Sequence, residues 1–143
     1  MKTYVLGFAF DEQKTQVLLV QKQKPKWQEG LLNGIGGKIK PNENACNAMY
    51  RECYEETNLI LGWENKGFMS GINNDKSPFE CHIFYAYDNK IFDFKQVEEE
   101  PLALHSPFVI IRPDYEGFIV PNLSFLIPFG LCKDHSNFIT INY

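Results

Sequence analysis

The chain has 143 residues, 44% hydrophobic and 22% charged, with a formal net charge of −4. That length suits one domain, 1–143, with its own core, and the acidic balance makes nucleic-acid duplexes and anionic membranes poor candidates for partners. No apolar run is long enough to span a bilayer or act as a secretion signal, and cysteines at 46, 53, 81 and 132 lack C-x-x-C spacing, which disfavours zinc or disulfide frameworks and makes a reducing, cytoplasmic setting the expectation.

Tyr4 to Phe10, aromatic and β-branched, reads as a strand. Asp11 to Thr15 is a polar turn, and Gln16 to Gln23 a second strand with Val17–Val20 buried; the two form a hairpin or near neighbours in one sheet. Lys22 to Gly30 is a loop with Pro25 and Trp27. Asn33-Gly34-Ile35-Gly36-Gly37-Lys38 then packs three glycines into four residues, which predicts a turn of positive φ or close backbone approach. Pro41 to Asn44 is a turn with Asn42 or Asn44 as N-cap, and a helix follows from 45 to about Thr57, ended by Asn58 in the left-handed region.

Leu59 to Ile72 is strand, interrupted at Gly62 and at Glu64–Gly67. Asn73 to Pro78 is a turn cluster, Phe79 to Tyr87 a strong strand, and Asp88-Asn89-Lys90 a turn. Phe94 to Val97 reads as a short edge segment before the acid run Glu98-Glu99-Glu100. Phe108 to Ile111 reads as apolar strand. A short C-terminal helix beginning near Phe125 places Pro128 in its first turn, and Phe138 to Ile141 is strand-like.

The helix carries the chemistry. Glu52, Glu55 and Glu56 stand at i, i+3 and i+4 and share one face with Ala45 and Ala48; Met49, Cys53, Cys46 and Tyr50 fall to the packing side. Clustered carboxylates repel, and a hard divalent cation relieves that repulsion. Arg51 can hold a carboxylate by a bidentate contact, while Glu43 either completes a metal shell or braces the loop. A solvated helix face is the competing reading. The spacing decides against it: Gly37, Glu43, Arg51, Glu52, Glu55 and Glu56 fit G-x5-E-x7-R-E-U-x-E-E-x-G-U, where U is apolar, with a chance probability on the order of 10⁻⁷ per register from average residue frequencies.

The stretch from Gly37 to Leu59 resembles the Nudix box, and the chain resembles a Nudix hydrolase of the MutT type. Cys53 stands at an aliphatic position, where it serves as a small hydrophobe, and Asn58 stands where the family has Gly. The resemblance implies an α/β fold, the Nudix α/β/α sandwich: a mixed sheet flanked by the box helix and a C-terminal helix. It also implies Mg²⁺ or Mn²⁺ held by Glu52, Glu55, Glu56 and the Gly37 carbonyl. Arg51 orients a catalytic glutamate, Glu52, and Lys38 reaches the phosphates. The general base is Glu52 or one of Glu98, Glu99 and Glu100, at least one of which is expected to face the site.

The implied reaction is cleavage of a nucleoside triphosphate, oxidised purines included, to monophosphate and pyrophosphate. Alternatives are an ADP-ribose, NADH or dinucleotide pyrophosphatase, and a nucleotide-binding module without turnover. In relatives of the MutT type an Asn at the position of Asn33 and acids near Glu99 and Glu100 read the purine edge. Trp27 either stacks on a base or packs, and Phe79, Phe84 and Tyr85 are candidates to line a base pocket. Family dimers make a homodimer an option.

Overall fold

Along β1 (Lys2–Phe10), Val5 and Ala9 face one way and Leu6, Phe8 and Phe10 the other, and all five are buried. Both faces of the strand are therefore covered, as its near-continuous apolar sequence requires. The structure, a computed structural model, describes residues 1–115, 117–132 and 137–142.

β1 is the hub of an eight-stranded mixed sheet. It runs parallel to β6 (Pro78–Tyr87) on one edge. Its other edge is shared: the start pairs antiparallel with β4 (Ile35–Lys38), and Ala9 and Phe10 pair with β2 (Val17–Gln21), which forms the expected hairpin. β2 also pairs with β3 (Leu32–Asn33) and with β7 (Leu102–His105). Beyond β6 lie β5 (Glu64–Ile72) and then β8 (Ile139–Asn142), parallel to β5.

One face is covered by α1 (Ala45–Thr57), which packs Ala48, Met49 and Cys53 on Val5, Leu18, Val20, Ile35 and Phe84. The other is covered by α3 (Leu123–Leu131), which packs Leu123, Leu126 and Ile127 on Phe8, Phe10, Leu19, Ile83 and Tyr85. The result is the expected α/β/α sandwich. α1 begins and ends as its sequence dictates: the Asn44 side chain accepts from the Asn47 amide at 2.8 Å, and Asn58 adopts φ 60°, ψ 23°. Among the described residues no helix is long and apolar enough to cross a membrane, and Cys46, Cys53, Cys81 and Cys132 are free thiols.

Several sequence expectations are corrected. The glycine segment is a strand, not a turn: Gly34, Gly36 and Gly37 do not have positive φ, and close approach is the reason for them. A Cβ on Gly36 would strike the Val5 carbonyl. Glu64–Gly67 does not interrupt β5 but lies within it, absorbed by a bulge between Asn65 and Gly67. Phe94–Val97 forms no strand; the edge strand is β7, after the acid run. Phe108–Ile111 forms no strand: 108–110 lie in a short helix, α2 (Pro107–Ile110), with Pro107 suited to a helix start and Ile111 as its C-cap.

α3 starts at Leu123, so Pro128 sits in its interior. The missing amide frees the carbonyl of Ser124, a residue exposed to solvent. Cys46 and Tyr50 are exposed rather than packed, because Gly7 lets α1 dock on a narrow stripe: a Cβ there would lie 2.6 Å from Met49 Cε. Phe84 and Tyr85 lie in the cores on opposite faces of the sheet, with Phe79 packed beside Tyr85's core. Alternation along β6 separates Phe84 from Tyr85, so the three do not line one pocket.

Candidate active site

Arg51 organises the loop before α1 and the helix face together. Its Nε and Nη2 donate to the two oxygens of Glu43 at 2.7 and 2.8 Å. Nη1 donates to Glu52 Oε1 at 2.8 Å and to Glu55 Oε2 at 3.2 Å. Nη2 also reaches the Lys38 carbonyl at 3.0 Å. One planar guanidinium thus ties the 40–44 loop, β4 and α1 into a unit, using the fork geometry that Lys lacks. Glu43 accepts from the Lys40 amide as well, so of its two sequence readings the brace is the one seen. The Arg51 contact holds the Glu43 carboxyl down at about 2.

Glu52 lies against Gly37. A Cβ on that glycine would collide with the Glu52 carboxylate, so the glycine is needed for the acid to reach the β4 backbone. Ile35 and Gly37 point toward α1, and Lys38 alternates away from it. The structure therefore does not bring Lys38 to the carboxylates.

Glu56 is 7% exposed, and its Oε2 is buried without a hydrogen-bond partner. Burial pushes its carboxyl up to about 8; Lys22 opposes the rise, and the charges of Glu52, Glu98 and Glu100 add to it. The acid run thus reaches the helix face despite its distance in sequence. Glu98 is itself raised by burial and by Glu52, Glu55 and Glu100. Glu100 is held by Lys22 at 2.9 Å and by the Gln23 and Lys24 amides. These contacts outweigh its burial and lower its carboxyl. Glu99 is exposed.

Lys22 is the residue that sequence reasoning missed. It lies in a loop with no local pattern to mark it, and only the packing of the 95–101 segment beside α1 sets its charge near Glu56. On the other flank, Asn33 Nδ2 donates to Gln28 Oε1 at 3.0 Å and its Oδ1 accepts from the Gly34 amide at 2.8 Å. Trp27, in the 3-10 turn Lys26–Gln28, is 58% exposed, which leaves its ring face open rather than packed.

A buried carboxylate oxygen with no donor, among further acids, is costly in the absence of a cation. An oxygen-rich donor set of this kind fits a hard divalent ion such as Mg²⁺ or Mn²⁺. Among the described residues no three acidic, histidine or cysteine side chains already converge as a ligand shell; Glu52 and Glu55 are drawn to Arg51.

Comparison with known proteins bears on the fold and the family. The chain superimposes on the crystal structure of a MutT protein from Bacillus halodurans with a TM-score of 0.72 at 22% identity, covering 100% of this chain and 90% of that one. A MutT protein from Methanosarcina mazei Go1 gives 0.68 at 18% identity, covering 90% and 89%. DR0079 from Deinococcus radiodurans gives 0.68 at 15%, covering 92% and 83%. At such identities these likenesses concern the fold. No curated protein matches the sequence. The family model of the NUDIX domain matches residues 2–107, β1 through the start of α2, and with the box and its Arg51 network inside that span the chain belongs to the NUDIX family of hydrolases.

Proposed function

We propose that this is a Mg²⁺- or Mn²⁺-dependent pyrophosphohydrolase that converts a nucleoside triphosphate, with oxidised purine nucleotides as candidates, to a monophosphate and pyrophosphate. The observation that carries the reading is the buried, unpartnered carboxylate of Glu56 beside Glu52, Glu98 and Glu100. A binding module without chemistry has no use for so costly an arrangement.

In this reading Glu52, Glu55 and Glu56, with the Gly37 carbonyl, hold the cation. When bound, it neutralises the phosphate chain and lowers the pKa of water. Arg51 keeps Glu52 pinned beside Gly37. Glu98, raised by burial and by the acids around it, takes the proton of the attacking water, since Glu52 is committed to Arg51. Attack on phosphorus breaks the bridging P–O bond and releases pyrophosphate. Lys22, rather than Lys38, is assigned to the phosphates. Glu100 serves them indirectly by holding Lys22. Asn33 and the open face of Trp27 form the base-recognition flank, with Glu99 at its rim. Membership of the NUDIX family supports hydrolysis of a phosphate anhydride.

The test is a nucleotide panel assayed for metal-dependent product, with Glu56→Gln as control. Pyrophosphate from triphosphates supports the proposal. Cleavage of ADP-ribose or dinucleotides alone, or binding without product, overturns it.

A further inference from the structure

The segment between the 3-10 turn Asn89–Asp93 and β7 has no regular structure, yet its start is bonded to the end of α1, Lys95 to Thr57, and the charges of Glu52 and Glu55 act on Glu98 within it. One side chain shapes it. Gln96 Nε2 donates to the Glu98 carbonyl at 2.6 Å and to the Glu100 carbonyl at 2.7 Å, and its Oε1 accepts from the Leu102 amide at 2.8 Å. Both N–H groups and the carbonyl of the amide are thus committed to the segment that carries the acids. A single surface hydrogen bond contributes little, but three convergent ones on one planar group select one loop shape. The ends are anchored separately: the Lys95 amide donates to the Thr57 carbonyl at 3.0 Å, and the Gln21 amide to the Pro101 carbonyl at 2.8 Å. Between those anchors Glu100 is fixed by Lys22, Gln23 and Lys24. Among the described residues no hydrogen bond or ion pair of this kind holds the Glu98 side chain, so its place depends on the backbone that Gln96 shapes.

We propose that Gln96 is a positioning residue, which holds Glu98 against the carboxylate face of α1 by bridging the Glu98 and Glu100 carbonyls. The inference rests on reading that face as the reaction centre. Three variants test it. Gln96→Met keeps length without the amide. Gln96→Glu keeps an acceptor for Leu102 but loses both donors. Glu98→Gln removes the charge being positioned.

Each Gln96 variant is expected to lower kcat by about 10- to 100-fold, as misplacement of a reacting group does, with KM unchanged. In the Glu98→Gln background, Gln96→Met is expected to add nothing. Mn²⁺ binding followed by electron paramagnetic resonance reads the same cycle without turnover, through the negative charge that Glu98 adds beside the carboxylates that hold the cation: Glu98→Gln and Gln96→Met each weaken binding, and the double variant is no weaker than either.

Independent, multiplying effects in both cycles overturn the proposal, as does wild-type behaviour of Gln96→Glu. So does failure of both Gln96 variants to fold, because Gln96 is then structural. If the wild type cleaves no nucleotide while the Mn²⁺ cycle still closes on Glu98, the proposed reaction fails and the role of Gln96 stands.

Discussion

The two helices that sandwich the sheet are built on opposite principles. α3, Leu-Ser-Phe-Leu-Ile-Pro-Phe-Gly-Leu, has no charged residue. It covers a face dense in aromatic rings, with Phe8, Phe10 and Phe129 around Tyr85. α1 buries a narrow stripe of Ala48, Met49 and Cys53 and turns acids toward its rim, one of them nearly as buried as the core. The α3 face is held by apolar area. The α1 face combines a smaller helix contact with the Arg51 network and holds a carboxylate in an environment that opposes its charge. On the proposed reading stability and chemistry are divided between the faces, so substitutions should separate the two.

The largest effect expected is on activity at the α1 face. Glu56→Gln should lower turnover by about 1,000-fold while leaving the metal-free protein as stable as the wild type or more so at neutral pH; equal activity in a nucleotide assay would break the comparison. Its counterpart on the other face is Phe8→Ala, which should cost about 3–5 kcal/mol in urea unfolding, with kcat of the folded fraction unchanged.

Gly37→Ala should lower kcat by about tenfold to a hundredfold through displacement of Glu52, with little change in melting temperature. The pH dependence comes next. Glu56 has a folded pKa of about 8, above the unfolded value of 4.5, so the folded state holds the proton more tightly between those values. Metal-free protein should therefore lose stability as pH rises from about 4.5 to about 8, and Glu56→Gln should flatten that slope in thermal melts. Glu43 has the opposite sign: its folded pKa is about 2, so its contribution is present above 4.5 and is lost as pH falls toward 2. The smallest effect is Tyr85→Phe, which removes the hydrogen bond to the Leu126 carbonyl at 2.6 Å. It should cost about 1 kcal/mol without altering kcat.

What could be read from the residue order alone was whatever depends on neighbours along the chain. The box helix, its Asn44 cap, its Asn58 terminus and the shared face of Glu52, Glu55 and Glu56 follow from a period of 3.6 and from local capping chemistry, and the strands of β1, β2 and β6 follow from apolar runs between turns. What the tertiary structure alone decided depends on contacts between distant segments. The glycines became a strand because β1 and Glu52 press against them. Residues 108–110 became helix where the sequence reads as strand, and Pro128 fell in the interior of α3 rather than in its first turn. Phe84 and Tyr85 were separated by the sheet. Lys22 and Gln96 carry no local mark, and which of Glu98, Glu99 and Glu100 feels the acids of α1 depends on how the 95–101 loop meets that helix; charge interactions and hydrogen bonds across such a fold leave no periodic trace in the sequence.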